Sequence, residues 1–273
     1  MFSITLKLMR KNMRMLIPAG IAILIGTAFI AATFLFGNAM NDTLARQMTA
    51  QYGGANYVVA ADIDGDSSTE ARDAAYGRTI ADFHLDDMTA VAGVRPDLTV
   101  SVVVSTTDGH VSGVAVSTSA DVALLPVKVT EGVQPDGGDG IALPKGIADQ
   151  LGVGVGDDVT VESRWSGDDG TAVTLHVTGL TDDPDGAYPY YGGASVLSDD
   201  AMAAMVGVDS FDAINCTSYL LHIPGAGAKG TTPDDTARRA IDTVESLLPD
   251  DYRLSTRADI DRTPFSESEG RRE

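Results

Sequence analysis

Asp62-Ile63-Asp64-Gly65-Asp66 sets carboxylates at alternate positions, a spacing from which oxygen ligands can converge on a calcium ion. The pattern then breaks down. Gly65 stands where a calcium loop has no use for it, and Glu70 comes too early to close the loop, so an exposed acidic turn is the expectation. Gly152, Gly154 and Gly156 alternate as in a phosphate-binding loop. A dinucleotide site needs a strand before such glycines and a helix after them; here a helical segment precedes and a β pattern follows, which predicts a turn. His84, His110, His176 and His222 are scattered without zinc-ligand spacing, and Cys216, the only cysteine, sits in the apolar–polar context of a strand. The chain has no GxxxxGK[ST], GxSxG, SxxK or HExxH stretch. We therefore expect no catalytic residue, no metal site, no cofactor and no enzyme activity of its own.

The informative chemistry lies at the amino terminus. Lys7, Arg10, Lys11 and Arg14 recur at i, i+3, i+4 and i+7, one helical face, with Phe2, Ile4, Leu6, Leu8, Met9 and Met13 supplying apolar area. Such a segment suits the lipid surface of a cytoplasmic leaflet. The 21 residues from Leu16 to Phe36 carry no charge. At about 1.5 Å per residue they reach about 30 Å, the thickness of a bilayer's hydrocarbon core. The run is longer than the apolar core of a cleaved signal peptide, so a retained transmembrane helix is expected over 16–37. Within it Ala19, Ala22, Gly26, Thr33 and Gly37 form a small-residue stripe that would admit a second helix.

Charge fixes the direction. Four of the 19 Lys and Arg precede residue 15, while all 39 Asp and Glu follow residue 41. The positive flank predicts a cytoplasmic amino terminus and an extracytoplasmic remainder, a single-pass protein of the cell membrane. The acidic remainder excludes nucleic acid as a partner. One cysteine cannot form an internal disulfide, so this large domain must be held by packing.

The elements that must carry these features follow from periodicity. Asn38 to Tyr52 keeps helical composition as a stalk until Gly53-Gly54 ends it. Ala55 to Ala60 reads as a strand, a polar loop runs through Arg72, Leu85 to Val91 reads as a helix with Asp86 and Asp87 in its first turn, and Asp97 to Ser105 as a strand. Cys216 to Ile223, Pro233 to Leu248 and Tyr252 to Ser255 repeat the order strand, helix, strand. Two such halves predict an α+β fold with a split-βαβ sheet. Between them the alternating strands Asp158–Arg164 and Thr171–Thr178, joined by a hairpin turn, and helices at Lys145–Leu151 and Ser198–Val206 predict an inserted β-rich subdomain. The expected divisions are a basic amphipathic segment (1–15), the transmembrane helix (16–37), the stalk (38–52), the α/β subdomain (53–105 and 213–257), the insertion (106–212) and a polar tail (258–273).

The order of these features resembles the MacB/FtsX-type permeases of ABC transporters. The resemblance is carried by Arg10-Lys11-Asn12-Met13-Arg14, by the span ending at Gly37-Asn38, by Ala55-Asn56-Tyr57-Val58-Val59, by Val91-Ala92-Gly93-Val94 and, most specifically, by Ile141 to Val159 with its short helix, leucine–glycine turn and Val155-Gly156-Asp157. It implies a periplasmic-core ectodomain on a permease that pairs with a second copy or paralogue. It further implies that ATP is cleaved by a cytoplasmic ABC ATPase subunit and that force passes outward for export or mechanotransmission. Such permeases carry three further spans after the ectodomain, whereas 259–273 is polar, so a permease fragment is expected. The alternative is a single-pass anchored binding or sensing protein.

Overall fold

The computed structural model describes residues 13–63, 68–83, 88–163, 172–226 and 233–257. The chain divides into two units, residues 1–46 and 47–273. One helix, α1 (Met13–Ala50), begins in the first and ends in the second, with Pro18 inside it. Its described apolar side chains include Ile21, Leu24, Phe29, Phe34 and Phe36, all exposed. Thr27 and Thr33 return their hydroxyls to the carbonyls of Ile23 and Phe29, at 3.0 and 2.9 Å, so neither leaves a polar group without a partner. Among the described residues no helix is long and apolar enough to cross a membrane. Within 16–20 only the Pro18 side chain is described, so the structure presents a long helix at the expected span without establishing the span itself.

In the second unit, four strands form one antiparallel sheet: β1 (Tyr57–Ala61), β2 (Gly93–Pro96), β10 (Ser218–His222) and β11 (Tyr252–Thr256), in the order β11-β1-β10-β2. β10 thus lies between β1 and β2, as a split-βαβ arrangement requires. Val58 pairs with Leu220 and Val59 with Tyr219, which brings together residues far apart in the chain. Alternation sends Tyr57, Val59, Tyr219 and Leu221 to one face and Val58 and Leu220 to the other. Helix α5 (Asp235–Leu247) contributes Ala237, Ala240 and Val244 to the first face, and its N-cap Asp234 accepts from the amides of Thr236 and Ala237. Phe83 packs there between Tyr219 and Tyr252, with ring centroids 4.1 and 4.5 Å away.

Seven strands make the insertion: β3 (Thr99–Ser105), β4 (His110–Ser117), β5 (Lys128–Gly132), β6 (Gly140–Pro144), β7 (Asp158–Ser163), β8 (Ala172–Asp182) and β9 (Ser195–Leu197). Their order is β5-β8-β6-β9-β4-β3-β7, and β7 also pairs with β8, which closes the sheet on itself. Helices α3 (Lys145–Leu151) and α4 (Asp199–Val206) add Ile147, Leu151, Met202 and Met205 to a core continuous with that of the smaller sheet.

Two expectations are corrected. The first helix of the α/β half is α2 (Thr69–Gly77), capped by Ser68 accepting from the Ala71 amide, in place of a polar loop through Arg72. Residues 88–91, the end of the helix expected from Leu85, form a turn, and 84–87 lie outside the described residues. β3 belongs to the larger sheet, pairing with β4 and β7, so the strand that completes the first half is β2 and the insertion starts near Asp97. Pro96 explains the break: a residue without an N–H ends the short strand, and the chain changes sheets within two residues.

An ion pair ties the halves of the small sheet. Arg78 donates to Asp251 through Nε at 3.1 Å and Nη2 at 2.6 Å, and its guanidinium stands 5.9 Å from the Tyr252 ring centre. The hydrogen bond from Arg78 outweighs desolvation and holds the Asp251 carboxyl below the usual carboxylate range. A carboxylate depressed in the folded state adds stability above its unfolded pKa and loses it as pH falls through the folded one. Asp251→Asn should therefore lower the melting temperature at pH 7, by about 1 kcal/mol of stability for so exposed a pair, and the difference should vanish near pH 2. Thermal denaturation across that range checks it.

Candidate functional site

The turn after α1 is where the helix end, small sheet and insertion converge. Tyr52 and Gly53 donate their amides to the carbonyls of Thr49 and Ala50, at 3.1 and 3.0 Å, closing the last turn. Gly53 has φ +54°, and a Cβ there would lie 2.7 Å from the Leu125 carbonyl oxygen. Gly54 presses against the insertion as closely, its amide 2.6 Å from the Ala123 oxygen. Both positions thus require glycine, one for its backbone conformation and both for close approach. The Gly53-Gly54 stop is where the sequence places it.

Arg257, just beyond β11, holds this turn from the other side. Its Nη2 donates to the Thr49 carbonyl at 2.9 Å and its Nη1 to the Gly53 carbonyl at 2.7 Å. A guanidinium at the carbonyl end of a helix satisfies orphaned acceptors and meets the negative end of the helix dipole. The amide of Arg257 bonds in turn to the Asn56 carbonyl at 3.0 Å. Asn56 then bridges to the far side of the sheet, its Nδ2 donating to the Ile223 carbonyl at 2.8 Å and its Oδ1 accepting from the Ile223 amide at 2.9 Å.

Asp121 and His222 fasten the insertion to the same region. Asp121 Oδ2 lies 2.7 Å from His222 Nδ1, and Oδ1 accepts from the Ala123 amide at 3.0 Å. Desolvation would raise the Asp121 pKa, but the bonds from His222 and Ala123 hold it below the ordinary value. The chain segment Asp121–Leu125 consequently covers the Val58–Leu220 face with Leu124.

The residues singled out from sequence fall elsewhere. Lys7, Arg10 and Lys11 lie outside the described residues; Arg14 is within α1, its side chain not described, as is that of Ala19. Ala22, Gly26, Thr33 and Gly37 are exposed on α1, and a Cβ at Gly26 or Gly37 would meet nothing within 4 Å. Asp62 pairs with Arg253, residues 64–66 lie outside the described residues, and no group of three metal-ligating side chains occurs among those described. Gly152 caps α3 in the left-handed region at φ +67°, and the glycine run turns into β7. Cys216 is buried, and burial pushes its thiol up to about 11. Arg257, Asn56, Asp121 and His222 are not legible as a site in the sequence, because their partners are distant along the chain; Gly53-Gly54 is the one signal pointing there.

A closed β-rich insertion within a split antiparallel sheet, entered from a long amino-terminal helix, is a mixed α/β ectodomain architecture. The chain belongs to the MacB-like periplasmic core domain family, whose profile matches residues 20–243. Its fold is similar to that of the periplasmic region of MacB from Actinobacillus actinomycetemcomitans. The TM-score is 0.51 at 10% identity, covering 79% of this chain and 95% of that one. The extracellular domain of the noncanonic ABC-type transporter YknZ from Gram-positive bacteria aligns with a TM-score of 0.47 at 13% identity, over 74% of this chain and 100% of that one. No curated protein matches.

Proposed function

We propose that this chain is a permease component of a MacB/FtsX-type ABC transporter, with its domain outside the cell membrane and its work driven by a cytoplasmic ABC ATPase. The observation that carries the reading is the match of residues 20–243 to the MacB-like periplasmic core domain. Supporting it, α1 runs unbroken from Met13 to Ala50, and its last turn is fixed to the small sheet by Arg257. In this reading residues 16–37 cross the bilayer, with Lys7, Arg10, Lys11 and Arg14 on the cytoplasmic lipid surface, and the stripe from Ala19 to Gly37 receives a second permease helix. The ectodomain passes on displacement of the stalk; ATP hydrolysis belongs to the partner.

The test is twofold. Tagged protein, cross-linked in its own membranes, should bring down an ABC ATPase, while the purified chain alone should neither bind nor cleave ATP; turnover abolished by substituting one of its own residues would refute the assignment. For topology, a cysteine placed at Ser166, in the Cys216→Ser background, should react with an impermeant thiol reagent in intact cells, and one at Ser3 should not. The reverse pattern would overturn the orientation.

A further inference from the structure

A cleft of about 660 Å³ opens in the second unit, lined among others by Leu98, Val206, Val208, Ile214 and Cys216 on its apolar side and by Asp97. Its volume is that of a small-molecule site. Asp97 is the unusual member. Its backbone amide is committed to the Ser218 carbonyl at 2.8 Å, but among the described residues no donor reaches its half-buried carboxylate. Desolvation raises its pKa, and the charge of Arg95 pulls the other way.

Arg95 does not discharge that carboxylate directly, since no ion pair joins them. It pairs in register with Leu220 and so lies on the face of the small sheet that carries Val58 and Leu124. There it is 1% exposed, with Nε and Nη1 lacking any hydrogen-bond partner. The cleft therefore offers an apolar wall and one desolvated acceptor group that no side chain or amide among the described residues occupies. A carboxylate in such surroundings is satisfied best by a charged donor.

We propose that this cleft binds a small amphiphile bearing one ammonium or guanidinium group, with the cation on Asp97 and the apolar body against Leu98, Val206, Val208 and Ile214. The inference stands on the cleft alone and does not depend on the transport reading. An anion of the same shape would meet the Asp97 charge and be excluded, which gives the site a sign as well as a size.

The assay is the melting midpoint of the full chain in lipid nanodiscs, followed by differential scanning calorimetry so that the readout does not depend on Cys216, which itself lines the cleft. The probes are 3-phenylpropylammonium and 3-phenylpropanoate, each at about ten times the dissociation constant measured for the ammonium, at matched ionic strength. The ammonium should raise the midpoint by about 3 °C and the carboxylate should not. Asp97→Asn should weaken the ammonium by about tenfold, the loss of one charge-assisted contact. Val208→Lys at the half-buried wall should weaken it more than Val208→Glu, which loses the same apolar contact with the opposite charge, and the pair separates a charge effect from a folding defect of the Asp97 variant. Equal shifts with both probes, no saturable shift with the ammonium up to about 10 mM, an Asp97→Asn chain that keeps the full shift, or the opposite order of the Val208 pair would each overturn the proposal.

Discussion

A chain in which residues 106–212 are replaced by a short linker is expected to lose cooperative unfolding. The excision leaves β3 behind and removes both of its neighbours, β4 and β7. Val100, Val102 and Val104, no more than 4% exposed in the intact fold, would then face water on an unpaired strand. At about 1.5 to 3 kcal/mol for each buried side chain, the loss is about 5 to 9 kcal/mol, as large as the whole stability of many domains. The sequence alone suggests the opposite outcome, a removable insertion, because it assigns β3 to the α/β half. Moving the cuts to remove 98–216 should behave differently. Asp97, at the first cut, and Ser218, one residue beyond the second, are already joined, amide to carbonyl, at 2.8 Å, and all pairings of the four-stranded sheet survive. That chain should melt cooperatively at a lower temperature, since the core it shared with the insertion is uncovered. Urea unfolding followed by near-ultraviolet circular dichroism distinguishes the two, and a sharp transition in the first chain would show that β3 can dispense with its neighbours.

Which parts of the fold can be read from sequence follows from the range of the interactions involved. Helix α3 is expected at Lys145–Leu151 and is found there, because Ile147, Ala148 and Leu151 form a buried stripe and Gly152 ends it locally. The antiparallel pairing of β7 with β8 is equally local, its alternation written into Val159, Val161, Leu175 and Val177. Helix α2 is hard to see because only Ala75 of its residues is buried, so no apolar stripe marks it; its Ser68 cap and first-turn Glu70 are the available signal. For β3 the alternation is visible, but alternation gives a strand's faces and not its partners. The same limit hides the junction. Arg257 looks like any charged residue after a strand until the fold carries it to Thr49, 208 positions away.

Arg257→Ala is the substitution expected to change the junction most. It removes the charged donors to the carbonyls of Thr49 and Gly53, at 2.9 and 2.7 Å, and a longer contact to that of Ala55 at 3.4 Å, leaving the Thr49 carbonyl without its charged partner beside the Tyr52 amide. Hydrogen bonds from a charged group are each worth about 1.5 to 3 kcal/mol, and partial exposure of the guanidinium reduces this to about 2 to 4 kcal/mol for the pair. The amides of Tyr52 and Gly53, bonded to the carbonyls of Thr49 and Ala50, should then exchange with solvent about 30-fold to several hundred-fold faster. β1, held on both edges by β10 and β11, should keep its protection. Arg257→Lys should fall between, since a single ammonium cannot span both acceptors in the fixed geometry of a guanidinium. If the helix passes displacement to the sheet as proposed, the alanine variant should retain a folded ectodomain yet lose transport coupled to ATP hydrolysis by its partner. Hydrogen exchange supplies the structural half of this test independently of transport: protection at Tyr52 and Gly53 unchanged in Arg257→Ala would mean that the guanidinium does not fasten the helix end to the sheet.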